Sequence, residues 1–167
     1  MTDFKRIINP RQTVLISTRS ESEIIGKKSL KNNLIAVDWH TPLSFAPMMY
    51  GFAITKQRFS YELVHNSKVF VVNFMPTSLE KDVLLCGRRS GKHIDKFRET
   101  GLTVEEAEKI DCCKVKEAVA TLECEVISEV ETGDHVFFIG KVVHSELKKD
   151  TKRVFHIIDN EFTTTIK

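Results

Sequence analysis

The chain has 167 residues, 41% of them apolar, with 25 Lys and Arg against 23 Asp and Glu. That length fits one domain, 1–167, with a core large enough to fold without disulfides. The near-balance of charge excludes the broad basic field of a general nucleic-acid binder. The N-terminal MTDFKRIINP lacks the apolar centre of a secretion signal, and no apolar run approaches the roughly 20 residues of a membrane helix. A cytoplasmic protein with no membrane or nucleic-acid partner is expected. Its cysteines, Cys86, Cys112, Cys113 and Cys124, include no C-x-x-C pair and are expected to be free thiols.

In chain order, TVLIST (13–18) reads as a strand, and so does the stretch 48–55. A short helix is expected over 59–65, followed by a strand at VFVVNF (69–74). There Asn73 ends a mostly buried run and is expected to make a structural hydrogen bond. Thr77-Ser-Leu-Glu80 after Pro76 has the capping-box pattern of a helix running toward Leu85, with Gly87 placed to end it. Another helix starts near Asp95. Leu122, Cys124, Val126 and Val130 alternate with Glu123, Glu125 and Glu129, the period of a strand with one wet face. HVFFIGKVVHSEL (135–147) follows a turn at Gly133, so these two segments form a hairpin. Many strands and few helices give a mainly β protein, an antiparallel barrel, with no repeat or second-domain boundary.

The segment CGRRSGKHIDKF (86–97) holds four Lys or Arg, a histidine and two glycines against one carboxylate. It is not a Walker loop: only three residues separate Gly87 from Gly91, and His93 follows Lys92 where Ser or Thr is needed. No G-x-G-x-x-G, H-E-x-x-H or G-x-S-x-G occurs, and the histidines are scattered, so no Rossmann site, zinc site or hydrolase elbow is supported. No metal is expected.

Six segments together, in order and spacing, resemble the flavin reductase-like family with its FMN-binding split barrel. They are NLIAVDWHTPLS (33–44), PMMYGFAITKQRFSYEL (47–63), FVVNF (70–74), CGRRSGKHIDKF (86–97), EAVATLECE (117–125) and GDHVFFIG (133–140). The family often has Pro-Pro where Ala46-Pro47 stands, and threonine where Ser60 keeps the hydroxyl. The resemblance implies a split antiparallel barrel that holds FMN, its ring beside 36–44 and its phosphate near 54–61. Candidate cofactor contacts are then Asp38, Trp39, His40, Thr41, Ile54, Thr55, Lys56, Arg58, Ser60 and Tyr61. The basic segment adds Ser90, Gly91, Lys92, His93 and Lys96. Lys56, Arg58, Ser60 and a helix starting near Phe59 bring charge, a hydroxyl and free amides, which suit a phosphate. Arg88 and Arg89 divide evenly between cofactor contact and solvated surface.

No side chain need act as a catalytic acid, because FMN itself supplies the redox chemistry. The implied enzyme passes electrons from NADH or NADPH through FMN to flavin, ferric iron or a partner protein. The alternatives are a flavoredoxin-like carrier without its own NAD(P)H turnover, and a flavin or haem binding module without turnover. Cys86 precedes the basic segment, whose cations could favour its thiolate, but it is expected to act as a small apolar residue. Cys124 is expected to be inert in the core. The resemblance also implies a homodimer with FMN near the interface. Independently, Phe137 and Phe138 are neighbours on a strand and cannot both enter one core, so one faces outward, toward water or, as an aromatic side chain favours, toward a partner or a covering helix.

Overall fold

The computed structural model describes residues 4–24 and 26–165. Its strands are β1 (Arg11–Gln12), β2 (Val14–Ile24), β3 (Lys27–Val37), β4 (His40–Phe45), β5 (Met48–Ile54), β6 (Val69–Phe74), β7 (Val104–Glu106), β8 (Cys113–Val115), β9 (Ala120–Thr132), β10 (His135–Leu147), β11 (Phe155–Ile158) and β12 (Glu161–Thr163). The α-helices are short: α1 (Phe4–Ile8), α2 (Phe59–Ser67), α3 (Glu80–Arg88) and α4 (Lys96–Thr100). Seven strands form one antiparallel sheet in the order β3-β2-β6-β9-β10-β5-β4. The two ends of that order are joined by Asp38 and Trp39 alone, and the Ala53 amide donates to the Trp39 carbonyl at 2.8 Å. The sheet therefore curls into a split barrel, as expected.

Central strands bury both faces, which is why they read as continuous apolar runs. Val14 and Ile16 of β2 point into the barrel with Ile35, Phe52, Phe70, Val72 and Phe138. Leu15, between them, points out into a second core with Leu34, Val83, Cys86, Phe97 and Val115, covered by α3, α4 and β8. Asn73 stitches these layers together as a structural residue. Its Nδ2 donates to the Leu15 carbonyl at 3.0 Å, and its Oδ1 accepts the Val115 amide at 2.8 Å.

Several local expectations are corrected. The Thr77 hydroxyl donates to the Arg153 carbonyl instead of capping a helix, and Thr77–Leu79 is a 3₁₀ turn ahead of α3. Gly87 does not end α3; it lies in the last turn, where a Cβ would stand 3.3 Å from the Ala36 Cβ, so its small size sets how closely α3 crosses β3. Glu123 is not on a wet face. Both its oxygens are buried, accepting the Glu108 and Lys109 amides at 2.8 Å each. β3 is a long strand that the apolar pattern does not announce. Of the two phenylalanines, Phe138 fills the barrel, whereas Phe137 lies on the outer face over Gly51.

Where β10 crosses the barrel, Gly140 faces the Phe70 ring and the Cys124 Cβ, and an added Cβ would lie 2.7 and 2.9 Å from them. Neither neighbour has room to yield. Gly140→Ala is therefore expected to destabilise the fold by about 1–3 kcal/mol, the usual cost of overpacking. Urea unfolding checks this, and an unchanged midpoint would show that the barrel interior is looser than described.

Candidate functional site

β3 is the end strand of the seven, so one of its edges has no strand partner. The Leu34 carbonyl lies on that edge, because it accepts the Lys96 ammonium at 2.6 Å. In an antiparallel strand alternate residues direct both N–H and C=O to the same side, so the Ala36 N–H and C=O also face the open edge. Opposite this edge stand the end of β5, the start of α2 and the last turn of α3. The space between is a groove with a narrow end and a wide end, and Arg58 and Gly87 line both.

The narrow end, about 100 Å³, is lined by Arg58, Arg89, Lys96, Ser60 and Ser90, with no carboxylate among its lining residues. No side chain caps the start of α2, which leaves its first amides and positive dipole end directed at this pocket. Lys96 is buried, and its Nζ donates to the Cys86 carbonyl at 2.6 Å as well as to Leu34. Burial, reinforced by the nearby Arg58 charge, pushes its pKa down to about 8. Asn33 gives its Nδ2 to the Ser60 hydroxyl at 2.7 Å, while its Oδ1 is buried with no donor among the described residues. Rotating that amide by half a turn would keep the Ser60 bond and direct the NH₂ at the pocket. Gly91 passes so close that a Cβ would lie 1.9 Å from this Oδ1. A concave set of cations, hydroxyls and amides without a carboxylate fits a phosphate group.

The wide end opens past Ala36, Asp38, Trp39 and Thr55, in two adjoining spaces of about 180 and 350 Å³. The Trp39 ring lies 4.6 Å from the His135 ring, centroid to centroid. Asp38 is held from both sides: its carboxylate accepts the Thr13 hydroxyl at 2.7 Å and contacts His156 Nδ1 at 2.6 Å. This end offers the Trp39 and His135 rings and an unpaired backbone edge, and it suits a planar ring that exchanges hydrogen bonds with a strand edge.

Of the residues singled out by sequence, Asp38, Trp39, Ile54, Thr55 and Arg58 meet at the wide end, and Arg58, Ser60, Ser90, Gly91 and Lys96 at the narrow end. The others lie elsewhere. Lys56 pairs with Glu131 on the exposed surface. His40 Nε2 faces the Gln12 carbonyl at 2.8 Å, and since a carbonyl only accepts, Nε2 carries the hydrogen and Nδ1 accepts the Tyr50 hydroxyl at 2.7 Å. Burial lowers the pKa of that imidazole. Thr41 donates to the Pro42 carbonyl, and the Tyr61 ring packs between His65 and Phe138. Lys92 and His93 point to the other side of their loop, into a separate concavity. The sequence reading missed Asn33, Gly87 and His135, placed Ala36 only within the ring segment 36–44 without assigning it a contact, and left Arg89 undecided. Cys86 lines the narrow end, but burial pushes its thiol up to about 12 despite the cation beside it. It is not a poised thiolate. Among the described residues no group of His, Cys, Asp and Glu is placed to hold a metal ion, and no helix is long and apolar enough to cross a membrane.

The model of the flavin reductase like domain matches residues 6–163. An uncharacterised protein of Archaeoglobus fulgidus is 40% identical over 114 residues, which are 68% of this chain and 64% of that protein; the match thus leaves over a third of that relative uncovered. A second, from Pyrococcus abyssi, is 32% identical across 87% of this chain and 78% of its own length. Among solved structures, an FMN-binding protein from Thermus thermophilus superposes with a TM-score of 0.85 at 21% identity, covering 98% of this chain and 90% of that one. A flavoredoxin from Methanosarcina acetivorans does so with a TM-score of 0.81 at 23% identity, covering 100% and 91%. Nitrilotriacetate monooxygenase component B from Mycobacterium thermoresistibile gives 0.80 at 21%, covering 98% and 85%. At these identities the structural likeness establishes the fold.

Proposed function

The chain belongs to the flavin reductase-like family, and from that premise we propose that its groove binds FMN in an NAD(P)H-dependent oxidoreductase. The observation that carries this reading is the carboxylate-free pocket of Arg58, Arg89 and Lys96 at one end of a groove whose wall is an unpaired strand edge. Arg58, Ser60, Ser90 and Lys96 hold the phosphate. The Ala36 backbone exchanges hydrogen bonds with the polar edge of the ring, and Trp39 and His135 wall it. When bound, FMN accepts a hydride and can release its electrons singly. The protein's part is to orient it, keep its phosphate neutralised and leave the wide end open to an electron donor. No side chain of the groove needs to move a proton. The name of the Methanosarcina acetivorans protein supports the second reading, an electron carrier reduced by another protein.

Binding and reduction can be followed on one sample. FMN is expected to bind more tightly than riboflavin, and Arg58→Ala to weaken FMN binding roughly tenfold to a hundredfold, since a charged hydrogen bond contributes about 1.5–3 kcal/mol. Riboflavin should be nearly indifferent to that change. Anaerobic NADH or NADPH then bleaches the flavin band if the chain is a reductase, whereas bleaching only by a reduced protein makes it a carrier. Equal affinity for the two flavins would remove the phosphate role from this pocket.

The same reading includes a homodimer. Phe45 is 95% exposed at the β4–β5 turn, and Trp39, Leu43 and Met48 are exposed along the same hairpin, which borders the wide end. An apolar surface of this kind beside a ligand groove is covered by a second copy, so that FMN lies near the interface. Sedimentation at low micromolar concentration should show a dimer, and Phe45→Glu should shift it toward monomer. A wild-type monomer, with and without FMN, would refute this assembly.

A further inference from the structure

The basic segment faces two ways, and its second face lines a concavity of about 510 Å³ that the flavin groove does not use. The floor of this concavity is apolar: Leu30 is 61% exposed and Val104 40%, with Ile94 and Phe97 beside them. Its rim carries Lys27, Lys31, Lys92 and His93. None of these four has a side-chain hydrogen bond or ion pair among the described residues. Some basic side chains elsewhere are paired within the protein, as Lys56 is with Glu131, Lys68 with Glu129, Lys148 with Glu105 and Arg19 with Glu106. The one acid in the lining, Asp95, is engaged at the start of α4, where it accepts the Arg98 amide at 3.2 Å.

An apolar bed inside a ring of uncompensated cations matches a ligand with a flat, poorly hydrated ring and a phosphate. The size lies within the 300–1,000 Å³ range of small-molecule sites. Position narrows the choice. Gly91 belongs to the wall of this concavity and to the wall of the narrow phosphate pocket, so the two are separated by the thickness of a backbone without a side chain. We propose that the Lys27/Lys31/Lys92 concavity is an adenylate subsite, with the adenine against Leu30 and Val104 and its phosphate at the lysine rim. The placement relative to the groove rests on the reading that the narrow pocket holds a flavin phosphate. The adenylate belongs either to FAD, reaching past Gly91 from the flavin phosphate, or to a dinucleotide electron donor.

Calorimetric titration of 5′-AMP, FMN, FAD and NADPH into the wild-type protein and a Lys27→Glu/Lys31→Glu variant tests this. Both substitutions lie on the β2–β3 hairpin, outside both cores, and Leu30→Asp provides a second variant directed at the apolar bed. 5′-AMP is expected to bind the wild type and to lose at least tenfold in affinity in either variant, while FMN stays within about twofold. FAD binding at least tenfold tighter than FMN, with the advantage lost in the variants, assigns the adenylate to the flavin. Equal flavin affinities, with NADPH binding to the FMN-loaded protein lost in the variants, assign it to the donor. If 5′-AMP does not bind, or binds all three proteins alike while FMN binds normally, the subsite is overturned. If FMN fails to bind but 5′-AMP behaves as expected, the flavin reading falls and the adenylate subsite stands.

Discussion

The hydrogen bond from the Lys96 ammonium to the Leu34 carbonyl organises the groove. An end strand exposes a row of unpaired backbone groups, and a fold must cover that row or use it. Here Lys96 takes one carbonyl of β3, a second bond to Cys86 ties the same ammonium to α3, and the next free backbone pair along the edge, that of Ala36, is left facing the groove. A buried ammonium is costly unless its hydrogens are engaged, and Lys96 meets two carbonyls but no carboxylate. Its lowered pKa, about 8, records that cost. At neutral pH the charge persists, and together with Arg58 and Arg89 it makes a positively charged pocket with no carboxylate in its lining.

The barrel supplies the rigidity this arrangement needs. Two cores grip β2 and β3 from opposite sides, Ile16 and Ile35 on the inside and Leu15 and Leu34 on the outside. The open edge is therefore fixed in position although it lacks a strand partner. Gly87 allows α3 to approach Ala36, and Gly91 allows the basic loop to close over Asn33. The segment then separates its own charges: Arg88, Arg89 and Lys96 line the groove, and Lys92 lines the neighbouring concavity. The basic charge of these twelve residues is thus divided between two adjoining concavities.

The barrel was legible because its central strands bury apolar side chains in unbroken or alternating runs, and the β9–β10 hairpin had a clear turn at Gly133, which has a φ of +66°. β3 was not, because its first half, KKSLKNN, runs along the solvent-facing tip of a hairpin and carries no apolar period. Glu123 misled for a related reason: strand alternation shows which residues share a face, but not that a later loop will bury that face with its own amides. In the groove, Arg58, Ser60 and Lys96 stand in segments whose resemblance to a family was readable. Asn33, Ala36 and Gly87 stand in such segments too, but they act through a strand edge and a close helix approach, which carry no side-chain signature and meet only in three dimensions. Lys56 and His40 have the right chemistry in the right segments, but Glu131 claims the first, and Gln12 and Tyr50 claim both nitrogens of the second.

The central claim, that the open edge of β3 is the wall against which a flavin binds, is tested most directly by residue-resolved amide hydrogen exchange with and without FMN. Ile35 and Val37 alternate with the edge residues and hydrogen-bond to β2, so their amides should be protected in both states. The Ala36 amide should exchange freely without FMN and slow by at least about tenfold with it. Protection of Ala36 that is unchanged by bound FMN would place the flavin away from this edge and contradict the account.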